Sequence, residues 1–254
     1  MNSWSPHRIQ ASEDVVRRGR APWSFLEILG VLGLGAAIGL LLVVLGVVIA
    51  ATMPDDVVDE LTAPAQFAAI STAVYGGFGI ATWLLIVRRK RLPWSSLGFV
   101  SVRSKTLLSM IPAGFILLFI NLLLLTPLTF FFGLGDPDAG QGQEEIFSPE
   151  GGLQVLDYLW LLIPLAILAP LVEEIGFRGL LYGYMRGRTG VVLSIIVSAL
   201  VFAVLHIVIP PLFVMGAILA FLAERYRSIV PGIVLHATNN ALVVVFIAIA
   251  NTVE

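Results

Sequence analysis

The chain's 254 residues are 58% hydrophobic and 13% charged, with a mean hydropathy of +0.95. That usage lies outside soluble domains, so lipid is the solvent for most of the chain. A net charge of −2 gives no reason to expect nucleic acid as a partner, and the absence of cysteine excludes disulfides, thiolate metal sites and a cysteine nucleophile. A helical bundle in a bilayer needs no polar cover on its outer face, so the fold class that follows is all-α, a polytopic transmembrane helix bundle.

Residues 1–22 carry Arg8, Arg17, Arg18 and Arg20 without apolar periodicity and read as a polar tail. Residues 23–254 read as a single transmembrane domain. Its first apolar run, from Ser24 to Met53, is too long for a signal-peptide core and is taken as a retained anchor. Gly30, Gly33, Gly35 and Gly39 let a neighbouring helix approach it closely. Glu27 lies near its start, within reach of the interface. Further runs follow at 65–87, 106–132, 157–185, 191–209, 212–223 and 229–250. The simplest count is seven membrane segments, with eight as the upper count. The run at 212–223 is short for a spanning helix and reads either as a tilted span that borrows residues from before Pro210 and Pro211 or as a re-entrant half-helix.

The connecting segments alternate in sign. Asp55, Asp56, Asp59 and Glu60 fill the first, and Arg88, Arg89, Lys90, Arg91, Arg103 and Lys105 the second. The third carries Asp136, Asp138, Glu144, Glu145 and Glu150. A cytoplasmic amino terminus places all 15 Lys and Arg on the cytoplasmic side or in the cytoplasmic half of a span, as the positive-inside rule expects. The expected location is an integral, multi-pass membrane protein, in the cell membrane if the source is prokaryotic.

Ionisable groups inside spans are expensive and mark functional sites. Asn121, in the third run, reads as an interhelical hydrogen-bond partner. The densest cluster is Leu-Val-Glu-Glu-Ile-Gly-Phe-Arg-Gly at 171–179. Glu174 and Arg178, four apart, share a helical face and can pair, which leaves Glu173, a quarter-turn away, as the carboxylate available for chemistry. Pro164 and Pro170 precede the cluster and predict a kink or a restart of the helix. Phe202 and His206 share one face of the next helix, and His236 and Asn240, with Asn239 beside them, one face of the last. Three helices that each present a polar face in lipid are expected to bring those faces together.

A carboxylate, two imidazoles and a carboxamide suit the addition of water to a carbonyl. Glu173, with His206, can take the proton, and His236 and Asn240 can donate to the developing oxyanion. Glu173, His206 and His236 also form a donor set for zinc or another divalent metal, and residue types do not separate the two mechanisms. Marks of other protease classes are absent or misplaced. Gly133-Leu-Gly-Asp136 has the glycine-x-glycine-aspartate spelling of presenilin-like proteases, yet it falls in the acidic loop without a partner aspartate in a span and reads as a turn.

Glu173-Glu174-x-x-x-Arg178, Phe202-x-x-x-His206 and His236-x-x-x-Asn240, in that order on successive apolar helices, resemble the three motifs of the CPBP family. That family contains type II CAAX prenyl proteases and bacteriocin-processing or immunity (Abi-like) proteins. The resemblance covers about residues 157–250, the expected catalytic core. It implies a membrane-embedded endopeptidase in which Glu173 activates water beside His206 while His236 and Asn240 polarise the scissile carbonyl, with Glu174, Arg178 and Phe202 in support. It leaves the metal requirement open. The implied partners are a peptide or protein substrate at the membrane and the lipid bilayer. Two other readings are a non-proteolytic immunity or scaffolding role in the same family, and a proton-coupled transporter. The latter predicts an inverted repeat, whereas the ionisable cluster is confined to the last four helices.

Overall fold

The structure is a computed structural model that describes residues 21–59, 61–131, 144–147, 152–206 and 209–253. The arginines and His7 of the amino-terminal tail, and the turn expected at Gly133-Leu-Gly-Asp136, lie outside the described residues. Among those described every regular element is helical, and seven helices carry the chain: α1 (Phe25–Ala50), α2 (Ala63–Arg88), α3 (Ser104–Leu128), α4 (Val155–Thr189), α5 (Val191–Leu205), α6 (Ile209–Tyr226) and α7 (Val230–Val253). Five of them, α1 to α4 and α7, are long and apolar enough to cross a membrane. The chain is an integral membrane protein of the polytopic helical class.

Local chemistry sets the helix starts. Ser24 and Glu27 form a capping box at α1, and Thr62 caps α2 with Pro64 in its first turn. Glu27 also pairs with Lys90 at 3.0 Å, so the first acidic residue of the bundle is an interfacial anchor. The short run at 212–223 extends in both directions into the 18 residues of α6, about 27 Å of helix, because Pro210 and Pro211 fall in its first turn, where no N–H is missed.

The α1–α2 pair packs through glycine. A Cβ on Gly77 would stand 2.5 Å from the Gly35 carbonyl oxygen and 2.5 Å from the Gly39 nitrogen, so the two backbones touch. Gly33 faces open space and takes no part. Elsewhere α3 lies against α7, and α5 against α6, where Gly216 meets the backbone of Ala199.

One end of the bundle gathers the basic residues. There Lys90 Nζ donates to the Pro22 carbonyl, Trp23 Nε1 to Leu180, and Arg186 grips Glu224 through two bonds of 2.9 and 3.1 Å. At the other end Thr62 Oγ1 donates to Asp157 at 2.6 Å, and Asn251 to the Phe147 carbonyl.

The irregularity expected at Pro164 and Pro170 takes the form of a change of register: α4 is π-helical over Ile163–Leu168, restarts as an α-helical turn at Ala169 with Pro170 in its first turn, and is π-helical again over Glu174–Tyr182. Asn121 is buried, but its Oδ1 has no hydrogen-bond partner among the described residues. It opens a π-helical turn, Asn121–Leu125.

Candidate active site

The expected residues meet between α4, α5 and α7. Glu173 Oε2 stands 3.8 Å from His206 Nε2 and 3.8 Å from His236 Nε2. Their meeting follows from topology. α4 turns into α5 at Gly190, whose φ of +83° is open to glycine, and the two helices run antiparallel. Glu173 lies 17 residues before that turn and His206 16 after it, so they reach the same level. α5 is only 15 residues long and His206 caps its end, which sets the imidazole at the depth of Glu173.

Each imidazole is oriented by its second nitrogen. His206 Nδ1 lies 2.7 Å from the Phe202 carbonyl. A carbonyl only accepts, so Nδ1 carries the proton there and Nε2 faces Glu173. His236 Nδ1 lies 3.4 Å from Glu174 Oε1, which places this ring between the two carboxylates. Glu174 is held in turn by Arg178 at 2.9 Å, both side chains fully buried, and Arg178 Nη2 donates to the Gly216 carbonyl on α6 at 2.9 Å.

Phe202, 1% exposed, packs at the centre of this group. Its ring lies 4.5 Å from that of His206 and 5.9 Å, edge-on, from that of His236, and the Arg178 guanidinium sits 4.7 Å above it. A cation over an aromatic face out of water is favourable by roughly 2 kcal/mol. Phe202 therefore keeps the charged pair and both imidazoles at fixed spacing. Exposure is graded across the site: the His206 side chain is 34% exposed, Glu173 13% and His236 3%.

Asn240 is engaged by the backbone. Its Nδ2 donates to the Leu165 carbonyl at 2.9 Å, and Asn239 Nδ2 lies 3.4 Å from its Oδ1. Proline explains the first contact. In π-helical register the Ala169 N–H bonds the Pro164 carbonyl, so the Leu165 carbonyl falls to residue 170, a proline without N–H. Asn240 supplies the missing donor and keeps one further N–H.

Tyr75, on α2, was not among the expected residues. Its hydroxyl donates to Glu173 Oε1 at 3.0 Å. The available signal was a hydroxyl in the middle of an apolar run beside Gly76 and Gly77.

Two nitrogens and a carboxylate are donor chemistry suited to a divalent metal. Among the described residues no group of three His, Cys, Asp or Glu side chains stands at the spacing of a formed metal site.

Residues 155–242 match the family model described as Type II CAAX prenyl endopeptidase Rce1-like. The match takes in α4, α5, α6 and the first half of α7, with every expected site residue, and leaves out α1 to α3. No curated protein and no solved structure matches the chain. The family match supports a CAAX-type intramembrane endopeptidase in general, a peptide hydrolase.

Proposed function

We propose, from the match of residues 155–242 to the Rce1-like family model, that this chain is an intramembrane protease of the CPBP family and hydrolyses a peptide bond in a membrane-associated or lipidated substrate through a water activated by Glu173 and His206. The observation that carries the reading is the convergence of Glu173 Oε2 with two imidazole Nε2 atoms, each at 3.8 Å. That separation is too long for a direct hydrogen bond and suits a bridging water.

In the proposed reaction the water oxygen attacks the scissile carbonyl carbon while its proton passes to Glu173 Oε2. His206 Nε2 accepts the water's second hydrogen bond and sets the angle of attack. The carbonyl oxygen gains negative charge and takes a hydrogen bond from the Asn240 N–H that Leu165 does not use, beside the His236 ring. Collapse breaks the C–N bond, and the proton on Glu173 moves to the departing amine. Burial of Glu174 and Arg178 as a neutral pair lets one further carboxylate, Glu173, keep its charge for chemistry without a second free charge in lipid.

The basic end of the bundle is assigned to the cytoplasm, which puts the amino terminus there too. His206, the most exposed of the three, is assigned to the side from which the substrate enters.

The test reconstitutes the protein in liposomes with a library of membrane-tethered and lipidated peptides and compares wild type with Glu173→Gln and His206→Ala at matched loading. Loss of cleavage by at least about a hundredfold is expected in both, as for removal of a general base. Wild-type turnover in both variants would refute the assignment. Mass spectrometry of peptides retained by Glu173→Gln identifies the substrate.

A further inference from the structure

We infer that Tyr75 is a positioning residue for Glu173, so that the amino-terminal helix pair, outside the matched family residues, forms part of the active site; the inference rests on the proposed role of Glu173. The Tyr75 hydroxyl donates to Glu173 Oε1 at 3.0 Å, while the other oxygen, Oε2, faces both imidazoles. The last torsion of a glutamate is broad and two-fold, so an untethered carboxylate exchanges its oxygens and swings its plane. A donor on one oxygen removes that freedom and aims the other. The hydrogen bond leaves the Oε2 lone pairs for the water.

The height of Tyr75 is fixed two residues along its own helix. Gly77 lies against Gly35 and Gly39 so closely that no Cβ fits between the backbones, which sets the level of α2 against α1. At the start of the same helix Thr62 is tied to Asp157 of α4 at 2.6 Å. α2 is therefore held at two levels, once against α1 and once against the helix that carries Glu173, with Tyr75 between them. Tyr75 is half-buried, and its ring stays in place by packing when the hydroxyl is removed.

The test is Tyr75→Phe in the reconstituted full chain, with three readouts. On the lipidated peptide that wild type cleaves fastest, kcat falls about ten- to hundredfold, the size of a misplaced reacting group, while KM stays within about twofold. Thermal stability in detergent is unchanged. The infrared difference between wild type and Glu173→Gln isolates the Glu173 carboxyl band, and Tyr75→Phe moves that band whether or not a substrate is turned over. An unmoved band, a wild-type kcat, or a fall in kcat that follows a fall in stability would overturn the inference. Full activity of Glu173→Gln would instead overturn the proposed function and is scored separately.

Discussion

Replacement of Arg178 by methionine isolates what the buried ion pair contributes. Arg178 meets Glu174 Oε1 at 2.9 Å with both side chains fully enclosed, and its guanidinium lies 4.7 Å from the centre of Phe202. Methionine fills much of the same volume but strands the Glu174 charge, whose Oε2 already has no hydrogen-bond partner among the described residues. Removal of one partner of a buried pair costs about 3–5 kcal/mol, more than the roughly 2 kcal/mol of the aromatic contact, so the stranded charge dominates. Replacing both partners is close to neutral, so Glu174→Gln with Arg178→Met is expected to recover at least half of the loss. Reversible unfolding in mixed micelles of increasing SDS fraction, followed by tryptophan fluorescence, measures both. If Arg178→Met unfolds with wild type, or the double variant is no more stable than the single, the pair is not what holds Glu174 beside His236.

Gly77→Leu places its Cβ 2.5 Å from backbone atoms of Gly35 and Gly39, which cannot yield, so α1 and α2 must part. Unfolding shifts by about 1–3 kcal/mol and peptide cleavage falls with it, since Tyr75 moves with α2. Pro170→Ala restores an N–H for the Leu165 carbonyl. Asn240→Ala is therefore expected to cost about 1–3 kcal/mol in the wild-type background and close to nothing beside Pro170→Ala, measured by the same unfolding assay.

Much of the site could be read from spacing within single helices. Glu174 and Arg178 pair because an offset of four residues puts them on one face, and Phe202 stacks on His206 for the same reason. Spacing could not supply contacts that depend on two helices at once. Tyr75 reaches Glu173 across 98 residues of sequence, and its level is set by the glycine contact between α1 and α2 together with the Thr62–Asp157 bond. Asn121 shows the reverse case, a buried amide whose sequence context promised a partner that tertiary packing does not bring to its Oδ1. The prolines of α4 announced an irregular helix, but local rules do not tell which neighbour replaces the lost donor, as Asn240 does for the Leu165 carbonyl.

That replacement explains why the site lies where it does. Glu173 ends the short α-helical turn Ala169–Glu173, between two stretches of π-helical register. A change of register leaves carbonyls poorly served by their own helix, and in lipid each needs a partner. Three carbonyls of α4 take donors from three other segments: Leu165 from Asn240 of α7 at 2.9 Å, Phe177 from Ser198 of α5 at 3.2 Å, and Leu180, which the Gly183 N–H also reaches, from Trp23, ahead of α1, at 3.0 Å. The irregular helix is thus pinned above, below and beside its two carboxylates by the elements that bring the imidazoles and by the segment that leads into the amino-terminal pair. Irregular backbone and buried charge therefore occur together because the donors that satisfy the first also fix the position of the second.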